Sequence, residues 1–470
     1  MRLADVQFVL AREQGYANWP KFRLGLERAA ALSSSLGDVA DRFVRAAMGF
    51  GWENARRDHA RALLKLRPEL VHFDPACAAL AGDLTALEPQ LFRVADVNDA
   101  AALRYRTPLL TAAAASVGPD AGTLAVLDRL RQAGANVQAA RPSPEFPGGN
   151  LTPLYFAAGV ASNAAVVHWL LDAGANPNDN ESLYHAAEHP NREVLEALIA
   201  AGARWEGSNA FLRLLDYEDV NRLEWALALG ADPVGVSGQS TPLHHALLRG
   251  RSSVILHRLV AAGADPRSPD AWGTTPYTLA RRLGATEFAD ALDARGLGES
   301  LNEADAFLAA VSAGDREGAR QRWAALPEGR ASLPDSADQW LPNLAQGRRT
   351  EGVRLLLEFG WPVGTPGDWS ASALNQAAFN GDAETAAILV DHGARHDERN
   401  GYGGDPWGSL HWASQNLAPT HLGPDHVAVA DVFLNAGFPI PEPFSASDAV
   451  TDRLDDWLAE HPDWPRYANP

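Results

Sequence analysis

The segment Thr241-Pro242-Leu243-His244-His245-Ala246, closed by Ala261-Ala262-Gly263-Ala264-Asp265-Pro266, constrains the fold more than any other feature of this chain, because it recurs. Related copies run from Thr152-Pro153-Leu154 to Ala173-Gly174-Ala175-Asn176, from Ser182-Leu183-Tyr184-His185-Ala186-Ala187 to Ala201-Gly202-Ala203, and from Ser372-Ala373-Leu374 to His392-Gly393-Ala394. A spacing of roughly 33 residues is that of stacked supersecondary units, none of which can bury its apolar face alone.

Each residue type in the copy has a local job. Thr241 caps a helix through its hydroxyl, and Pro242 sits at the first helical position, where a missing N–H costs nothing. Leu243 points inward. Ala246 lets a paired helix approach closely, and Gly263 supplies the backbone freedom that ends the second helix. The copies resemble ankyrin repeats, with T-P-L-H-x-A opening one helix and L-L-x-x-G-A-(D/N) closing the next. The resemblance implies an all-α fold, an α-solenoid of about twelve ankyrin-type helix-turn-helix repeats with short inter-repeat fingers, between roughly 38 and 441.

A solenoid buries its core between neighbouring units, so 470 residues need not divide into several globular domains. The expected organisation is an N-terminal helical cap over 1–36, a first part of the array over 37–299, a second part over 300–441, and a capping helix with a frayed tail over 442–470. Residues 1–35 depart from the repeat. Gly15 stops one short helix, Pro20 starts another, and Phe22, Leu24 and Leu26 supply apolar contacts. This stretch is similar to the leader that precedes the repeats in bacterial ankyrin proteins, D-A-Q-x-x-I-A-R-E-x-G-F-x-x-W-P-K. Arg349-Thr350-Glu351-Gly352-Val353, Gly360-Trp361-Pro362-Val363 and Gly367-Asp368-Trp369 likewise resemble a subset of those proteins.

Degenerate helical pairs are expected from Asp38, over Val44–Met48, Ala60–Leu66 and Ala76–Leu91. Ser116 to Gly122 adds residues between two helices and should protrude. Arg141 to Asn150 is a Pro/Gly loop of extended backbone where a finger belongs. The pattern weakens at Gly296-Leu297-Gly298-Glu299-Ser300, and Ser414 to Pro424 is a further insertion. Ala446 to Leu458 reads as a polar-faced capping helix containing Leu454 and Trp457, and Pro462 to Pro470 as frayed.

A formal charge of −19 and a pI near 5.1 argue against a nucleic-acid partner, whose footprint on a protein is basic. The negative field favours a basic protein partner and raises its encounter rate, and it also keeps a long chain from self-association, so a monomer is expected. Cys77 is the sole cysteine, which excludes an intramolecular disulfide and a cysteine-based zinc cage and points to a reducing, cytoplasmic compartment. No run approaches the ~18 apolar residues of a membrane span.

There is no G-x-x-x-x-G-K-(S/T), G-x-S-x-G or H-E-x-x-H, and no cysteine in a catalytic context, so the chain reads as non-enzymatic, with no cofactor and no metal. His185 with His189 and His392 with His396 have four-residue spacing, but each pair straddles a helix end and lacks a common face. His244 stands at the consensus histidine, whose role in the family is to bind backbone between repeats.

The informative positions are those the repeat leaves free. The two residues after the paired small residues of each first helix face the concave groove, and the residues before T-P-L form the finger tip. That register selects Glu188 and His189, Asp216 and Tyr217, Arg249, Phe379 and Asn380, and Trp412 for the groove. It also marks Gly159, Val160, Leu248, Ser312 and Ala313. Trp272 and Trp369, each three residues before the motif threonine, belong on fingers, and Trp205 follows a closing turn. Exposed aromatic and arginine side chains flanked by carboxylates are the types that dominate binding energy. Trp205 and Trp272 fit finger packing equally well, Trp361 fits packing better, and Trp407, at the buried leucine position, belongs in the core. The chain is therefore expected to be an interaction scaffold gripping a protein along an acidic and aromatic groove. The alternatives are a small-molecule sensor or enzyme with its site in Pro142–Asn150 or Ser414–Pro424, and a self-assembling repeat protein.

Overall fold

The computed structural model describes residues 29–49, 55–99, 106–143, 149–235, 240–333, 335–416, 423–442, 444 and 446–468. The expectations for residues 1–28 of the N-terminal cap, and for 144–148 and 417–422 of two insertions, lie outside the described residues. The contacts gather into two compact units, within Phe22–Ser237 and within Gly238–Pro470.

The first unit is a succession of helical pairs: Leu36–Met48 with Arg57–Leu66, Pro75–Ala81 with Leu84–Leu91, Leu109–Ala114 with Asp120–Gln132, Pro153–Val160 with Ala164–Asp172, Ser182–Ala186 with Arg192–Ala200, and Ala210–Leu215 with Val220–Ala228. The second continues with Pro242–Leu248 and Ser253–Ala261, Pro276–Arg282 and Thr286–Ala294, Glu303–Ser312 and Arg316–Ala325, Trp340–Gln346 and Thr350–Glu358, Ala373–Asn380 and Ala383–Asp391, and Pro406–Asn416 and His426–Asn435. Helix Asp448–Glu460 follows, with Val450 and Leu454 buried.

Local chemistry explains the pairs. The hydroxyls of Thr152, Thr241, Thr275 and Ser372 each accept the N–H three residues on, and proline follows the three threonines. Second helices end alike. Gly174, at φ +93°, donates to Leu171 O while Ala175 donates to Leu170 O, both at 2.9 Å, and the same pair of bonds closes the turns at Gly202 and Gly263. This is the Schellman arrangement, which satisfies carbonyls a helix end leaves open.

His244 behaves as expected: its Nε2 meets Thr274 O at 2.9 Å, tying one pair to the next finger. Trp407 is fully buried. Trp361 is 3% exposed, with its indole N–H donating to Ala337 O, and it joins Phe307, Trp323 and Phe359 in an aromatic cluster. That cluster fills a change of stacking partner, where helix Glu303–Ser312 packs on Thr350–Glu358. The weakened pattern at Gly296–Ser300 precedes this change. Arg282, buried with Asp305, forms an ion pair across the division expected at 299/300.

Three expectations need correction. Ser116 to Gly122 does not protrude at its start: Ser116 and Val117 are buried, Val117 donates to Leu80 O at 2.8 Å, and Arg57 donates to Ala115 O and Ser116 O. The open carbonyls at the end of Leu109–Ala114 are satisfied by the preceding pairs, which draw the segment in. The tail is not frayed over 466–468. Arg466–Ala468 pairs in parallel with Ile440–Glu442, Trp464 donates to Phe438 O at 3.0 Å, and the Tyr467 hydroxyl donates to Asp405. Finally, the fold is mostly but not purely helical, since Arg141–Pro142 also pairs antiparallel with Asn150–Leu151.

Candidate functional site

Within Phe22–Ser237, the ends of three first helices carry a linked set of polar and aromatic side chains. Arg213, on Ala210–Leu215, donates from Nε to Glu188 Oε1 at 2.8 Å and from Nη1 to Asp216 Oδ2 at 2.9 Å. Glu188 also faces His185 Nδ1 at 3.3 Å, and the other ring nitrogen of His185 lies 3.3 Å from Glu181. Burial opposes charge on His185, yet the hydrogen bonds to Glu181 and Glu188 outweigh it and lift the imidazole pKa to about 9. Burial likewise works against ionised Glu188, and His185 and Arg213 overcome it to hold the carboxyl below its usual value.

Aromatic rings interleave with these charges. His185 packs edge-on against Tyr155 and Tyr184, with centroids 5.0 Å apart in both cases. The Arg213 guanidinium lies 5.7 Å from the Tyr184 ring and 5.4 Å from that of Tyr217, and the Arg222 guanidinium lies 4.8 Å from the Tyr217 ring. Burial, partly offset by Arg213, raises the Tyr217 phenol to about 12. Arg222 is anchored by Asp219 Oδ2 at 2.9 Å and Glu188 O at 2.9 Å. Gly159 makes the close packing possible, because a Cβ there would lie 2.5 Å from the Cβ of His185.

The structure thus brings together three residues the register selected, Glu188, Asp216 and Tyr217. His189 also lies here, but its Nε2 is bound to Gly159 O, so it links neighbouring pairs. Sequence reasoning missed Tyr155, Tyr184, Arg213 and Arg222. The carboxylates at 181, 188, 216 and 219 were the available signal, since half-buried acids on adjacent repeats need cations between them.

In Gly238–Pro470 the selected residues form separate contacts. Arg249 stacks on Trp369 at 4.1 Å and lies 3.7 Å from Asp368, although the sequence placed one in the groove and the other on a finger. Phe379 and Trp412 stack with centroids 5.6 Å apart and planes 11° apart. Asn380 donates to Gln346 O at 2.8 Å, a backbone tie between pairs. Trp272 is 73% exposed at the tip of a turn pinned by Asp270, whose carboxylate accepts the N–H of Trp272 and of Thr274, both at 2.9 Å. Trp205, in the first unit, packs instead: its indole donates to Leu229 O at 3.1 Å and its ring meets Phe211. The two tryptophans that the sequence left undecided therefore separate.

Residues 149–182, which contain Tyr155 and one complete helical pair with its closing turn, match the family described as Ankyrin repeat. The chain contains an ankyrin repeat. Ankyrin repeats are protein–protein interaction modules with a concave binding surface. The crystal structure of the human ASB11 ankyrin repeat domain aligns with 47% of this chain and 96% of that one, at 22% identity and a TM-score of 0.22. No curated protein matches the sequence. Among the described residues no helix is long and apolar enough to cross a membrane.

Proposed function

We propose that this chain is a non-catalytic protein–protein interaction scaffold, that its helical pairs outside 149–182 are ankyrin-type repeats as well, about twelve in all, and that the end helices cap them. Trp272 supports this reading most directly. A tryptophan 73% exposed on a hydrogen-bonded turn loses little conformational freedom when a partner covers it, and it offers a large apolar face. The remaining contact positions are Glu188, His189, Asp216, Tyr217, Arg249, Phe379, Asn380, Trp412 and Trp369.

The net charge of −19 supports a basic partner. Because Arg213 already matches Glu188 and Asp216, that attraction comes from the acidic surplus elsewhere and acts as long-range steering. A cytoplasmic, monomeric protein of bacterial type fits the single cysteine, the charge and the leader pattern. Affinity capture with the wild type and with Trp272→Ala, Tyr217→Ala and Phe379→Ala tests the assignment. Trp272→Ala should weaken the captured partner by about 2 kcal/mol, and unchanged affinity in all three variants rejects these surfaces.

A further inference from the structure

The last helical pair, Pro406–Asn416 with His426–Asn435, is closed differently from earlier ones. Thr152 and Thr275 each stand before the proline that opens a first helix, and each hydroxyl donates to a carboxylate beyond the following closing turn, Asp179 and Glu299. Asp405 holds the same place before Pro406, and its Oδ1 accepts the Gly408 N–H at 2.9 Å, as a capping residue does. A carboxylate cannot donate, so the contact is reversed: the hydroxyl comes from Tyr467, which donates to Asp405 Oδ2. Burial and Asp405 together push the Tyr467 phenol above its usual pKa, so it keeps its proton. The tail thus makes the contact that the segment after a closing turn makes at Thr152 and Thr275.

Other contacts of the tail define what this edge accepts. Ile440 N–H donates to Pro465 O at 2.9 Å, the Trp464 indole donates to Phe438 O at 3.0 Å, and Arg466 Nη1 donates to Glu442 Oε1 at 3.2 Å. The Trp464 ring also meets that of Trp457 edge-on, with centroids 5.1 Å apart. Asp405, Phe438 and Ile440 are buried, so whatever covers them has to supply donors to the Asp405 carboxylate and Phe438 O and an acceptor to Ile440 N–H. The matching pattern is an indole, a basic residue two positions later and a phenol one position beyond, on extended backbone parallel to Ile440–Glu442.

Few backbone bonds hold the tail. The sheet has two strands of three residues each, Pro441 and Pro465 contribute no N–H, and Arg466 and Ala468 are exposed. Pro462 separates the strand from helix Asp448–Glu460, which is anchored independently through Val450 and Leu454. The strand can therefore leave while the helix stays. On the premise that the chain is an interaction scaffold, we propose that the edge of Ile440–Glu442, with Asp405 beside it, docks an extended partner segment carrying the tail's own pattern of indole, basic residue and phenol. Trp464–Ala468 is then a strap that keeps the site shut until such a segment displaces it.

The test uses the full-length chain and a fluorescein-labelled peptide with the sequence of residues 461–468, read by anisotropy. In the double variant Trp464→Ala, Tyr467→Ala the strap loses both side-chain bonds. The peptide should bind it saturably and about tenfold or more tightly than it binds the wild type, whose own tail competes at high effective concentration. The same peptide with phenylalanine in place of its tyrosine should bind the double variant about fivefold or more weakly, because Asp405 is left without a donor. No saturable binding to the folded double variant, equal binding of the two peptides, or equal affinity for wild type and variant overturns the inference. Should circular dichroism show that the double variant does not fold, hydrogen exchange of the wild type decides: excess unlabelled peptide should quicken exchange in Arg466–Ala468 and leave Ile440 protected, and no response to the peptide overturns the inference. A partner captured through Trp272 by a chain that takes up no tail peptide leaves the scaffold reading standing and removes only this one.

Discussion

His185 couples the stability of its unit to pH. Its folded pKa, about 9, lies above the ordinary imidazole value of 6.5, so the protonated form contributes stability in full below pH 6.5, and that contribution is lost as pH rises through about 9. The linkage amounts to at most ~3.5 kcal/mol. Thermal melts from about pH 6 to pH 10 should show a falling midpoint that His185→Gln flattens; parallel curves for wild type and variant would remove His185 as the cause. Glu188, Asp216 and Tyr217 were legible from the sequence because the repeat register marks the two positions that follow the small residues of a first helix. Arg213 was not, because it precedes Leu214-Leu215 in a degenerate copy, and its role appears only once Glu188 on the neighbouring pair is placed beside it. Which tryptophan packs and which stands in water was equally beyond the register, since Trp205 finds Leu229 O only in the folded chain.

Glycines of two kinds show how elements are joined. Gly174 ends a second helix at φ +93° with open space around its missing Cβ, so Gly174→Ala should cost about 1–2 kcal/mol through backbone strain alone. Gly118 is different: a Cβ there would lie 2.0 Å from Ala81 O, and Gly118→Ala should cost about 2–3 kcal/mol by pushing the Ser116–Gly118 turn off the preceding pair. Urea unfolding of both variants measures the difference, and an equal cost at the two sites would contradict the packing of that turn. The closing glycines were readable because their role is local. The inward course of Ser116–Gly118 was not, because it depends on Leu80 O and Arg57, some 35 to 60 residues earlier in the chain. Residues 464–468 misled for a similar reason. Pro462 and Pro465 suggest an unpaired end, while the partners that hold Trp464 and Tyr467 are Phe438 and Asp405 on earlier elements.

A stack in which each pair touches only its neighbours transmits little from one end to the other, and its stability is nearly a sum of local terms. The Gly238–Pro470 unit departs from that rule. Arg249, at the end of Pro242–Leu248, lies over Trp369, shortly before Ala373–Asn380, and Arg349 donates to Leu283 O at 3.1 Å, 66 residues earlier in the chain. Two segments separated by several helical pairs therefore share an interaction, and disturbing one should loosen the other. A cation–π contact of this kind contributes about 0.5–2 kcal/mol. In Arg249→Ala, amide hydrogen exchange should accelerate several-fold in Pro242–Leu248 and in Ala373–Asn380 together, with Thr286–Ala294 less affected although it is nearer in sequence. Acceleration confined to the pairs adjoining residue 249 would mean that the unit behaves as a nearest-neighbour stack after all. Such a contact leaves no trace in a repeat pattern, because the period records which residues face the next pair and is silent about those that meet across several. Its effect on binding follows from the same geometry: Arg249 and Trp369 hold one another in place, so Arg249→Ala should weaken any association that uses the pair and leave one made through Trp272 unchanged.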